Sequence, residues 1–206
     1  MKILFLDTSS FFVTVSIVEE DKILFLYQDS IVDDMSSKIM PIISNAFSSL
    51  TFSIRDIDKI MVVNGPGSFT GVRIGVTIAK VLAWSLNKEI VTISSLEYLA
   101  SSSCNTEYII PMIDARRGYV YGAVYDKELN PVVSDSYQEY NSFEKYFNNG
   151  TIVSFDNLKN SNKPSLDVLK VIKKHLNSKS LNAHEVNPNY LKKTEAEENL
   201  GRKNND

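Results

Sequence analysis

Residues 2–7, Lys-Ile-Leu-Phe-Leu-Asp, make an apolar run that ends in aspartate, and residues 108–114, Tyr-Ile-Ile-Pro-Met-Ile-Asp, repeat the pattern in the second half of the chain. After each comes a short polar turn, 8–10 and 115–118, and then an alternating segment, 12–18 and 119–125, with the period of a strand. A charged turn, 19–22 or 126–128, leads to a third strand near 23–28 or 131–137. A helical stretch follows: Met35 to Leu50 with Met35, Ile39, Ile42, Ile43, Ala46, Phe47 and Leu50 on one face, and the shorter Ser142 to Phe147 in the second half. Pro41 either kinks the first of these helices or marks its start. Strand units repeated within one chain predict an α/β protein of two related lobes. Residues 1–100 are expected to form the first lobe and 101–191 the second, with Ser101-Ser102-Ser103 as the hinge and 192–206 as a charged, solvated tail. A last helix is expected from Ser165 to His175.

The segment Gly65-Pro66-Gly67-Ser68-Phe69-Thr70-Gly71-Val72-Arg73-Ile74-Gly75 follows the apolar run 60–63 and opens into a periodic helix. Ser68 or Thr70 supplies the cap, so the order is strand, turn, helix. It is not a Walker loop. No Lys-Ser/Thr pair follows Gly71, and Pro66 has no N–H to offer a phosphate. It also misses the dinucleotide fingerprint, because the third glycine comes one position late. Gly71, Gly75, Ala79 and Ala83 recur at every fourth position and line one face of the helix with small side chains. Two interior glycines cost about 1 kcal/mol each relative to alanine, and close packing is the natural compensation. The ridge packs either on the chain's own sheet or on another helix. The expectation adopted here is a partner interface of Gly71, Gly75, Ala79 and Ala83, extended by Arg73, Met35 and Ile39, with Trp84 in the core.

Of the 206 residues, 43% are hydrophobic, enough for real cores, and the net charge is −3. The chain therefore lacks the basic footprint of a protein that grips nucleic acid unaided. No apolar run approaches the roughly 20 residues of a membrane span, and Met1-Lys2 leads straight into a strand, so a cytoplasmic protein is expected. A single cysteine, Cys104, excludes an internal disulfide framework and any cysteine-based zinc site. The two histidines, His175 and His184, are not spaced as helical metal ligands and are expected at the surface.

Leu6-Asp7-Thr8-Ser9, the block Gly65 to Gly75, Asp114-Ala115-Arg116-Arg117-Gly118 with Val120-Tyr121, and Pro188-Asn189-Tyr190-Leu191-Lys192 with Ala196-Glu197 together resemble the TsaB, or YeaZ-type, family. The resemblance spans nearly the whole chain. It implies the fold of actin, sugar kinases and Hsp70-type ATPases, with a reduced second lobe. It also implies a non-catalytic subunit that pairs with a TsaD-type catalytic subunit making threonylcarbamoyladenosine in tRNA. A TsaE-type ATPase is implied in the same complex, tRNA is engaged only indirectly, and self-association is implied as the alternative when the partner is missing. In the catalytic paralog a His-x-x-x-His pair on the first long helix holds the metal. Here the region Asp33-Asp34-Met35-Ser36-Ser37-Lys38 contains no histidine, so no metal, cofactor or catalytic residue is expected.

Asp7 and Asp114 end their strands where actin-like ATPases carry phosphate- and magnesium-binding groups, but no glycine-rich adenosine-binding run follows in the second half. They are expected to close their turns through Asx-type hydrogen bonds. Arg116 and Arg117, at a hairpin tip, are expected to meet a partner's carboxylates or a phosphate. A stand-alone peptidase-like or ATPase-like enzyme of the same superfold is the alternative function.

Overall fold

The computed structural model describes residues 1–192. The charged tail expected at 192–206 lies, apart from Lys192, outside the described residues. In the first lobe β1 (Lys2–Asp7), β2 (Phe12–Glu19) and β3 (Lys22–Ser30) form an antiparallel meander. The helix α1 (Met35–Ser48) then leads to β4 (Lys59–Val63), parallel to β1, and α2 (Phe69–Leu86) to β5 (Glu89–Ile93), parallel to β4. The sheet order is β3-β2-β1-β4-β5. α1 is continuous through Pro41, which neither starts nor ends it.

After the short α3 (Ser95–Ala100), the second lobe repeats the plan with β6 (Tyr108–Asp114), β7 (Tyr119–Tyr125), β8 (Pro131–Glu139) and β9 (Gly150–Val153), in the order β8-β7-β6-β9. β9 runs parallel to β6 as β4 does to β1. The expected helix at 142–147 is instead a 3-10 helix, Tyr140–Tyr146. Among the described residues no long helix and fifth strand follow β9. The chain passes instead to α4 (Val168–His175), a helix that begins three residues later than expected. The two related α/β lobes, the second reduced, have the repeated sheet order that an actin-like fold requires.

Alternation along the strands explains the layering. Leu4 and Leu6 of β1 and Ile60 and Val62 of β4 point to α1 and α2. Ile3, Phe5, Met61 and Val63, on the other face, meet α3, α4 and the inner residues of the second sheet, among them Ile109, Ala123 and Tyr125. The lobes therefore share a core. The serines expected as a hinge belong to it: Ser101 and Ser102 are buried, and their hydroxyls donate to Tyr98 O (2.7 Å) and Leu99 O (2.8 Å). They also accept from the N–H groups of Asp167 and Ser165, which ties the approach to α4 onto the end of α3.

The C-terminal stretch expected in the second lobe returns to the first. Leu181 bridges Ile90, Val186 is fully buried in the core under α2, and Lys80 donates to Val186 O at 2.7 Å.

Candidate functional site: an exposed helical face and a cleft between the lobes

The glycine block is built around the turn after β1. Ser68 caps α2 by accepting from Gly71 N–H, and its own N–H donates to Ser9 O at 2.7 Å. Thr8 Oγ1 donates to Gly71 O at 2.7 Å. A Cβ on Gly71 would collide with the Thr8 carbonyl oxygen, and one on Gly75 with the Thr8 hydroxyl. The ridge of Gly71, Gly75, Ala79 and Ala83 is buried against the chain's own first sheet, which corrects the expectation that these residues face a partner. Ile39 is corrected in the same way, being fully buried in the core under α1, while Met35 is half-buried at the cleft between the lobes. α2 also departs from the expected absence of a span-length apolar run. By length and composition it could cross a membrane, but here its small-residue face is packed on the sheet.

What α2 shows to solvent is its opposite face. Trp84, expected in the core, is 68% exposed, and Phe69 and Val81 are each 56% exposed. Arg73 lies between them along the helix, its guanidinium 3.7 Å over the Phe69 ring and its Nε donating to Tyr190 Oη at 2.7 Å. Tyr190 stacks on Phe69, and Asn189 N–H donates to Asn64 O, so the Pro188-Asn189-Tyr190 motif docks on the glycine block. Beside this face a groove of about 480 Å³ runs between α1 and α2, walled by Met40, Phe69, Arg73 and Ile78.

A second concavity, about 430 Å³, opens between the lobes and is lined by residues of both aspartate turns. Asp7 Oδ1 accepts from Ser9 N–H at 2.8 Å, and Asp114 Oδ1 accepts from Arg116 N–H at 2.8 Å, the two Asx turns that the repeated pattern predicts. Their environments differ. Asp114 is exposed, whereas burial pushes the Asp7 carboxyl up to about 6, against hydrogen bonds from Ser9 that pull it down.

Arg116 and Arg117 are exposed at the β6–β7 tip, both with left-handed backbone (φ 68° and 56°), and line a separate pocket of about 670 Å³. Left-handed backbone at two successive non-glycine residues is unfavourable by roughly 1–2 kcal/mol each.

His175 is not the surface residue expected. Its Nε2 lies 3.0 and 2.9 Å from the two carboxylate oxygens of Glu97, a buried residue of α3, and its Nδ1 lies 2.9 Å from Ser178 Oγ. This Ser-His-Glu line has the composition of a hydrolytic triad but not its setting. Lys174 also pairs with Glu97, the imidazole sits on the last turn of α4 where carbonyls and not N–H groups are free, and neither the cleft, the groove nor the tip pocket is lined by these residues. It joins α4 to α3. Cys104 is half-buried, and burial pushes its thiol up, away from the reactive thiolate. Among the described residues no group of three or more His, Cys, Asp or Glu side chains converges to hold a metal.

Residues 32–171 match the family model described as TsaD, tRNA N6-adenosine threonylcarbamoyltransferase. A Bacillus subtilis protein named tRNA threonylcarbamoyladenosine biosynthesis protein TsaB is 40% identical over 139 residues, 66% of this chain and 61% of its own length. The Escherichia coli protein of the same name is 33% identical over 100 residues, 47% of this chain and 43% of its own. The chain thus spans less than two thirds of the length of these relatives. A Pseudomonas aeruginosa structure, described as an uncharacterized protein with similarity to peptidase YEAZ, superposes with a TM-score of 0.78 at 20% identity, covering 93% of this chain and 99% of its own. Sequence over most of the length and fold over nearly all of it agree: the chain belongs to the TsaD family, and within it is similar to proteins named TsaB.

Proposed function

We propose that this chain takes part in threonylcarbamoyladenosine formation in tRNA as a non-catalytic subunit that pairs with a TsaD-type transferase. The observation that carries the pairing is the exposed aromatic and aliphatic face of α2, Phe69, Val81 and Trp84, set beside the groove to Met40 of α1. Large apolar side chains gathered on one exposed face mark an interaction surface. The non-catalytic reading is supported by α1, whose first turn is Met35-Ser36-Ser37-Lys38 and offers no imidazole where the paralog's metal ligands are expected. The net charge of −3 supports indirect engagement of tRNA, through the assembled complex. A TsaE-type ATPase would act within that complex, and self-association would use the same face when the transferase is absent.

The test is titration of a TsaD-type subunit with the Trp84→Ala and Phe69→Ala variants. Trp84 is 68% exposed, so Trp84→Ala should melt as the parent does, whereas Phe69→Ala also removes the ring under Arg73 and Tyr190 and its pairing is read beside its own melt. Each should weaken pairing by roughly thirtyfold or more, as expected of an aromatic anchor worth about 2 kcal/mol. Unchanged affinity in both variants would refute pairing through this face.

A further inference from the structure

We propose that the cleft between the lobes binds a linear aliphatic polyamine. Three carboxylates line it, Asp7 at the end of β1, Asp114 at the end of β6 and Asp156 just after β9, so both lobes supply negative charge to one space of about 430 Å³. None of the described residues lining it is Lys, Arg or His. Asp114 Oδ1 accepts from Arg116 N–H and Asp156 Oδ2 from Asp114 N–H, and the second oxygen of each takes no hydrogen bond among the described residues. Ser95, at the start of α3, lines the same cleft. It is 3% exposed, and its Oγ is the one fully buried side-chain polar atom without a partner among the described residues. A buried hydroxyl left unsatisfied costs about 1–3 kcal/mol, and a donor or acceptor on a ligand would remove that cost.

The arrangement discriminates between cations. A bare divalent ion needs oxygens converging within a few tenths of an ångström of one distance, and these carboxylates form no such cluster. A phosphate-bearing ligand would meet three carboxylates and, among the described lining residues, no basic side chain. A chain of methylenes carrying separated ammonium groups suits both features of the site. Its charges can reach Asp7 in one lobe and the neighbouring Asp114 and Asp156 in the other, and its apolar stem can lie on Phe11 and Phe155, packed edge to face at 5.8 Å, with Tyr121 on the same wall. An ammonium already rests on a ring close by, Lys192 Nζ lying 5.2 Å over Tyr137, which itself packs against Tyr121.

The experiment is calorimetric titration of the full chain with spermidine at about 0.15 M ionic strength. Saturation at one equivalent is expected. Asp114→Asn should weaken binding about tenfold or more, and Ser95→Ala about two- to tenfold, the worth of a charge-assisted and a neutral hydrogen bond respectively. Ser95→Ala removes an unpartnered hydroxyl and should leave the melting temperature equal or higher, so its lost affinity cannot be a folding defect. Glu128→Gln, in the exposed β7–β8 turn, removes the same charge away from the cleft and should change affinity by less than about twofold. Failure to saturate, equal weakening by Glu128→Gln, or displacement of spermidine by magnesium or ATP at matched ionic strength would each overturn the assignment.

Discussion

Replacing Asp7 by asparagine should stabilise this protein at neutral pH and leave it unchanged in acid. The carboxyl is 4% exposed, and burial pushes it from an ordinary 3.8 up to about 6. The folded state therefore holds its proton more tightly than the unfolded chain does, and stability falls as pH rises through the interval between those two values. Above about 6 the whole cost is present, and below about 4 none of it is. The interval corresponds to about 3 kcal/mol at one proton, or about 6–12 °C in melting temperature for a chain of this size. Asparagine keeps the oxygen that accepts from Ser9 N–H, so the turn itself is retained. The assay is urea unfolding of parent and Asp7→Asn side by side at about pH 7.5 and about pH 4. Only the difference between the two proteins is read, which cancels every other titrating group. A difference of the same size at both pH values, or a variant less stable at neutral pH, would refute the reasoning.

Ala79→Leu should lower the stability of the isolated chain by about 1–3 kcal/mol, because Ala79 is fully buried between α2 and its own sheet. Thermal melts check this, and a normal melt combined with lost pairing would move the ridge back to a partner. Glu97→Ala should cost about 1–3 kcal/mol by removing the hydrogen-bond acceptor that Lys174 and His175 share. Chemical denaturation measures it, and a loss below about 1 kcal/mol would show that water replaces the carboxylate.

The repeated strand and aspartate units were legible because their signals are local: alternation at period two, a charged turn, and an Asx turn that needs only a carboxylate two residues ahead of an N–H. The small-residue ridge was legible as a close-packing face but not as to what it packs on. That depends on Thr8, some sixty positions earlier, whose carbonyl and hydroxyl fill the space a Cβ would take at Gly71 and Gly75. Trp84 was legible from the helix itself: Thr70, Arg73, Thr77 and Lys80 share its face, opposite the small-residue ridge, so the expected core position went against the helical pattern. The serine run at 101–103 has the composition of a linker, yet its first two hydroxyls bond back onto α3 and receive N–H groups from residues 165 and 167. Glu97 and His175 are separated by 78 residues, and neither carries a local mark of the other.

The two aspartate turns, alike in sequence and in hydrogen bonding, differ in environment because only one of them is roofed. Over Asp7 lies the start of α2, held there by Ser68 N–H on Ser9 O and Thr8 Oγ1 on Gly71 O, contacts that glycine at 67 and 71 makes sterically possible. In the second lobe the chain after β9 runs through an irregular stretch to α4, which packs between the sheets and not over the Asp114 turn. Asp114 stays exposed, and Arg116 and Arg117 are left at an open tip. The glycine block thus has two consequences from one cause. It lets α2 press its small face onto the β1 turn, which buries Asp7, and it thereby fixes the rotation of α2 that turns Phe69, Arg73, Val81 and Trp84 outward. The exposed face on which pairing is proposed is set by the same close approach that raises the aspartate beneath it.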